Sequence, residues 1–175
     1  MPATDPAPLR AGLAAATGSV ETVLDLGGGS GRAATALAGH VERVVVVDAA
    51  PGMCREARAA GHEAVCADAG RVPVRDGSVD GVVVVDALHH FPDVPGALSA
   101  VGRVLRPGGV LVVRDFDPTT VRGRALAAAE RLMGFDSTFL APRDLASAVG
   151  AAGLRPSVRE RGVAFTLVGE KPGGR

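Results

Sequence analysis

Val23-Leu24-Asp25-Leu26-Gly27-Gly28-Gly29-Ser30-Gly31-Arg32 is the stretch that decides the architecture. A short apolar run passes into four glycines and then into a segment of helical composition. Glycine lets the chain turn sharply and lets a ligand lie against bare backbone where a helix begins. A tight strand-to-helix corner without a ligand would use the same residues.

Outward from this turn, two kinds of segment alternate. Valine-rich runs recur at Val20–Leu26, Val44–Asp48, Glu63–Cys66, Val79–Asp86 and Val110–Asp115. Several are apolar at successive positions, as in a strand covered on both faces. Between and after them, Arg32–Ala38, Met53–Ala60, Val94–Leu105, Thr119–Met133 and Pro142–Ala152 have helical composition. Breakers stand at Gly39, Gly61, Gly77, Pro107-Gly108-Gly109 and Gly153. This pattern predicts an α/β fold with a doubly wound, parallel sheet. Pro156–Arg161 and Val163–Val168, around Gly162, predict a hairpin added antiparallel at the sheet edge. Met1–Pro8 is rich in Pro and Ala and is expected to fray. No linker divides the chain, so residues 1–175 are expected to form a single domain. Residues 1–19 make a short N-terminal extension, and 116–141 are expected to make a small lid.

Composition narrows the function. Nineteen basic and nineteen acidic residues give a formal charge of zero, without the whole-chain basic excess of a typical nucleic-acid binder. A local basic patch would not show in this balance. Apolar residues make up 47% and aromatic residues 3%, so the core must be Val, Leu and Ala, with few rings to stack a substrate. Glycine numbers 24, and Lys171 is the sole lysine, which points to genome composition as one cause of the excess. Cys54 and Cys66 lack metal-ligand spacing and are expected to be small buried hydrophobes in a reducing compartment. Apolar runs of four or five residues fall far short of the ~20 that span a bilayer. The expectation is a soluble, cytoplasmic protein without membrane insertion.

Two further acids end the next strands. Asp48 closes the second, 23 positions after Asp25, and Asp68-Ala69 closes the third. Ligands of doubly wound sheets sit at the carboxyl ends of strands, where a carboxylate commonly accepts from a ribose diol. Asp68 is placed to accept from an adenine amino group. Gly29-Ser30-Gly31-Arg32-Ala33-Ala34 also matches G-x-G-x-x-A, so a nicotinamide dinucleotide competes as the ligand. Asp25 tells against it, because a carboxylate before the glycines would face the negative pyrophosphate. Beside the ammonium of a methionine moiety the same carboxylate is attractive.

Val23–Gly31 resembles motif I of class I S-adenosylmethionine-dependent methyltransferases. Val47-Asp48-Ala49-Ala50-Pro51-Gly52-Met53 resembles their acidic second loop, and Asp68-Ala69 with Val72–Asp80 their third-strand segment. Ala87-Leu88-His89-His90-Phe91-Pro92-Asp93 and Arg103-Val104-Leu105-Arg106-Pro107-Gly108-Gly109 complete the series in order. These motifs span about Val20 to Asp115, more than half the chain. They are most similar to the subgroup containing ubiquinone and menaquinone C-methyltransferases. Gly28 departs from it, standing where many relatives carry Cys or another side chain, and is expected to be tolerated.

The resemblance implies a Rossmann-like, seven-stranded, mostly parallel sheet with an antiparallel last strand. It implies S-adenosyl-L-methionine as cofactor and S-adenosyl-L-homocysteine as product. Asp25 and the backbone of Gly27, Gly29 and Gly31 would hold the aminocarboxypropyl part, with Gly28 also among the cofactor-binding residues, and Asp48 would hold the ribose. Ala49 and Met53 would flank the adenine, with Asp68 and Ala69 at its edge. Asp86, Ala87 and Leu88 would lie beside the methionine portion. Met53 could equally be helix packing, and Asp86 a capping carboxylate. His89 and His90 follow strand four, where either could act as a base or orient an acceptor, or both could pack and hydrogen-bond to loop backbone. His40 and His62 sit at helix ends and are expected to be solvated. No four-ligand metal set and no Ser-His-Asp order with a nucleophile elbow is visible.

The acceptor is expected to be a small molecule. Phe116, Phe135 and Phe139 could line its pocket or bury helix Arg124–Met133 on the sheet. Arg122, Arg124, Arg131 and Arg143 could attract an anionic acceptor or simply face solvent. A lid this short leaves the site open, or completed by a second subunit in a homodimer. The competing functions are a nicotinamide-dependent oxidoreductase and a non-catalytic, cofactor-binding regulatory or scaffold domain.

Overall fold

Why runs of consecutive valines form strands is visible in where alternate residues go. A computed structural model describes residues 4–134, 137–160 and 162–173. Its strands are β1 (Thr22–Leu26), β2 (Arg43–Asp48), β3 (Glu63–Cys66), β4 (Val79–Val85), β5 (Leu105–Phe116), β6 (Arg155–Glu160) and β7 (Ala164–Glu170). The helices are α1 (Pro6–Leu13), α2 (Arg32–Leu37), α3 (Pro51–Ala59), α4 (Val94–Val104), α5 (Val121–Leu132) and α6 (Pro142–Ala151). Val82, Val84, Leu111 and Val113 enter one core with α4 and α6. Val83, Val110 and Val112 enter the other with α1 and α2. Both faces being covered, a polar group in these strands is costly without a partner.

All seven strands share one sheet in the order β3-β2-β1-β4-β5-β7-β6. β1 pairs in parallel with β2 and β4, β2 with β3, and β4 with β5. The tail hairpin does not simply extend the edge. β7 inserts antiparallel between β5 and β6, leaving β6 outermost. The burial pattern explains the choice: Phe165, Leu167 and Val168 are fully buried, whereas Arg155 is exposed. Chain order reverses between β1 and β4, and a crevice opens there at the carboxyl ends.

Three expectations need correction. The N-terminal segment is not frayed from residue 4 onward: Asp5 caps α1 by accepting from the Ala7 N–H at 3.0 Å, Pro6 occupies its first turn, and Leu9 and Leu13 are buried. Met1–Ala3 lie outside the described residues. Pro107-Gly108-Gly109 is not a break before a strand but part of β5. The pairing of β4 with β5 skips there, from Val79↔Leu105 to Gly81↔Val110. Arg106, anchored on Asp80, holds the irregularity. Cys54 is buried as expected, but Cys66 is exposed.

Candidate cofactor cleft

At the carboxyl ends of β1, β2 and β4, two cavities of about 460 and 660 Å³ lie side by side. Gly27, Met53 and Asp86 line both, so they form one continuous cleft. The smaller cavity is walled by the glycine turn, with Asp25, Gly28 and Gly29. The larger carries Asp48, Ala49, Asp68, Ala69 and Ala87. Of the residues expected at the cofactor, these eleven come together: Asp25, Gly27, Gly28, Gly29, Asp48, Ala49, Met53, Asp68, Ala69, Asp86 and Ala87.

Gly31 and Leu88 do not join them. Gly31 begins α2 at φ +89°, and a Cβ there would lie 2.5 Å from the His62 ring, so its glycine serves the turn and its packing. Leu88 belongs to the core below the cleft. His62 is therefore not merely solvated: it packs under Gly31 and sits 2.9 Å from Thr35 Oγ1. Sequence reasoning missed Phe91 as a wall. A Cβ on Gly27, already at φ +71°, would approach Phe91 Cε1 at 2.9 Å and Ala87 Cβ at 2.8 Å. The signal was available, since Phe91 is one of only five phenylalanines and stands two residues beyond His89.

Asp25 is the chemical centre of the smaller cavity. It ends β1 beneath α2, and its Oδ2 accepts from the Ala34 N–H at 3.1 Å. Oδ1 is buried without any partner. Burial pushes the carboxyl up to about 7, with the Asp48 charge adding to the rise and the Ala34 N–H and Arg32 opposing it. Gly28 makes this arrangement possible, because a Cβ at that position would lie 2.5 Å from Asp25 Cγ. Asp48 organises the loops around it. Its Oδ2 accepts from the Gly29 N–H at 2.9 Å and its Oδ1 from the Ala50 N–H at 2.8 Å. Each oxygen keeps a second lone pair for a diol. Asp68 accepts from the Gly70 N–H at 2.8 Å. Asp86 is not a helix cap. It stands at φ +51°, the sole described non-glycine at positive φ, 3.7 Å from Arg32, with its carboxyl raised by burial and by the Asp115 charge.

The two adjacent histidines part company. His90 lines the larger cavity, and its Nδ1 is 3.1 Å from Ser137 Oγ. Burial and the neighbouring His89 hold its pKa below the usual histidine range. His89 turns inward, buried, with Nδ1 2.7 Å from Asp115 Oδ1 and its backbone N–H donating to Asp115 Oδ2 at 3.3 Å. Phe139 stacks on that ring at 4.2 Å and Phe116 meets it edge-on at 6.5 Å. Those two aromatics thus pack His89 and do not line the cleft; Phe135 lies outside the described residues. Nor do they bury α5, whose only buried residue is Gly123 and whose Val121 and Leu132 are exposed. Arg122, Arg124, Arg131 and Arg143 are all exposed.

Residues 24–113, about half the chain, match the methyltransferase domain family, and the match runs from β1 through the glycine turn to β5. The chain belongs to this methyltransferase family. A demethylmenaquinone methyltransferase of Beutenbergia cavernae is 38% identical over 134 residues, covering 75% of this chain and 53% of that protein. The corresponding enzyme of Mycolicibacterium vanbaalenii is 35% identical over 113 residues, covering 65% and 50%. The chain spans about half the length of these curated relatives. A Thermotoga maritima SAM-dependent methyltransferase, described as a possible histamine N-methyltransferase, superposes with a TM-score of 0.79 at 21% identity over 94% of this chain and 89% of that one. That likeness establishes the methyltransferase fold. Among the described residues no helix is long and apolar enough to cross a membrane.

The methyltransferase family implies S-adenosylmethionine as cofactor, and the cleft fits it in charge. A buried carboxylate oxygen without a donor calls for a cation or a strong donor, which the ammonium of a methionine moiety supplies. A dinucleotide would set its pyrophosphate on that same carboxylate.

Proposed function

We propose that the protein transfers a methyl group from S-adenosylmethionine to a small-molecule acceptor. The orphaned Oδ1 of Asp25 beside the glycine turn carries this reading. Asp25 would take the ammonium, the spare lone pairs of Asp48 the ribose hydroxyls, and Asp68 the adenine edge. The bound cofactor supplies an electrophilic methyl group on a sulfonium. The chain's part is mainly placement, because a nucleophile held about 3 Å away in line needs little further help. Phe91 and Ala87 pack against Gly27 and wall that side of the cleft. His90 stands at the cleft wall, where its ring can orient an acceptor. His89 is committed to Asp115 and is not available for that task. The relatives' acceptor, demethylmenaquinone, supports a small-molecule substrate.

Calorimetry with S-adenosylhomocysteine and, separately, NAD tests the cofactor. Binding of the first and not the second is expected; the reverse overturns the proposal. Incorporation of labelled methyl into a metabolite extract then separates an enzyme from a cofactor-binding scaffold.

A further inference from the structure

His89, His90 and Glu130 present one ring nitrogen each and one carboxylate oxygen, all within 4.8 Å of one another. They come from different elements, the two histidines from the turn after β4 and the glutamate from α5. His89 is fixed in the manner of a metal ligand. Its Nδ1 faces Asp115 at 2.7 Å, which leaves the Nε2 lone pair pointing outward. That nitrogen meets Glu130 Oε1 at 3.7 Å, while Glu130 Oε2 is buried with no partner at all. Two electron-rich groups face each other, and a second carboxylate backs one of them.

A proton alone does not resolve this arrangement. An imidazolium would place its N–H 3.7 Å from Oε1, beyond the 2.7–3.2 Å of a hydrogen bond, and would leave Oε2 unsatisfied. A cation between the groups gives the Glu130 carboxylate the positive charge it lacks and takes the His89 Nε2 lone pair. We propose that His89, His90 and Glu130 form a binding site for a divalent transition-metal ion, beside the cleft wall that His90 provides. Two imidazoles and a carboxylate are a ligand set for zinc or a neighbouring first-row ion, with a fourth position open. Bonds of about 2.0–2.2 Å in a tetrahedron set ligand atoms roughly 3.4 Å apart. His89 and Glu130, at 3.7 Å, are already close to that spacing, and the remaining separations, all within 4.8 Å, close by up to roughly 1.4 Å, which the exposed His90 ring and the Glu130 side chain can supply while His89 stays clamped. The site also accounts for α5, whose apolar surface is mostly turned outward. An ion shared between Glu130 and the histidines tethers that helix to the sheet.

The test uses the full chain, stripped with a chelator and titrated with Zn²⁺ by calorimetry and with Co²⁺ by visible spectroscopy. The expected result is one ion per chain, a rise in Tm and protection of α5 from proteolysis. Glu130→Gln and His90→Ala should each weaken binding at least about 100-fold with an unchanged circular dichroism spectrum, and Asp115→Asn about 10–100-fold. His40→Ala, His62→Ala and Cys66→Ser should bind as the parent does. Absence of binding, or binding that survives Glu130→Gln or falls with a control variant, overturns the assignment. None of these readouts requires methyl transfer, so they stand apart from the test of the cofactor.

Discussion

Replacing Asp25 by Asn separates what this carboxyl costs the fold from what it gives the site. In the unfolded chain it titrates near 3.8, and in the fold burial moves it to about 7. Below pH 4 both states hold the proton and the group has no effect on stability. Between pH 4 and 7 the unfolded state releases its proton while the folded state keeps it, so stability falls with rising pH. Above 7 the loss is complete and level. The span corresponds to about 4 kcal/mol at 1.36 kcal/mol per pH unit, and to something on the order of 2–4 once the pocket relaxes around the charge. Asp25→Asn keeps an oxygen for the Ala34 N–H and removes the charge, so it should melt higher than the parent at pH 7.5 and lose the slope between pH 4 and 7. The same change removes a charge-assisted bond to the cofactor, worth about 1.5–3 kcal/mol, and should weaken S-adenosylhomocysteine binding by about 10- to 150-fold. Binding to the parent at pH 7 should also release about half a proton, since a group near its midpoint becomes fully ionised beside an ammonium. Calorimetry in buffers of different ionisation enthalpy measures that proton. A parent that releases none, together with an Asn variant that binds as tightly, would refute the reasoning.

Other perturbations probe other parts of the cleft and the frame. Asp48→Ala loses the bonds from Gly29 and Ala50 as well as any diol contact, and is expected to cost about 2–4 kcal/mol of S-adenosylhomocysteine affinity by calorimetry. Unchanged affinity would mean that the ribose lies elsewhere. Gly27→Ala adds a Cβ in a left-handed conformation against Phe91 and Ala87, and should lower thermal stability by at least about 1–2 kcal/mol while closing the cleft to cofactor. Leu9→Ala should destabilise by about 2–5 kcal/mol in urea unfolding, whereas a frayed N-terminus would show no effect.

The sequence by itself determined the sheet, the helices that flank its main strands and most of the cleft. Consecutive valines require cover on both faces, the Gly27–Gly31 turn requires a ligand-sized gap or a tight corner, and Asp25, Asp48 and Asp68 stand at or just beyond the carboxyl ends of successive strands. All of these are local patterns, and parallel pairing carries them to the same place. Helix α1 escaped notice because its composition is ordinary and its stability comes from Leu9 and Leu13 meeting β5, a contact nearly a hundred residues away. Residues adjacent in sequence were hardest to assign. His89 and His90 read as equivalent, yet one enters the cleft and the other turns to Asp115, because the backbone after β4 coils into a single 3-10 turn. Whether Asp25 would be satisfied by its own fold was equally invisible. Only the packing of α2 over β1 gives one of its oxygens a donor and leaves the other without one. Spacing along the chain places a side chain on an element; the neighbours that set its charge and partners come from elements folded against it.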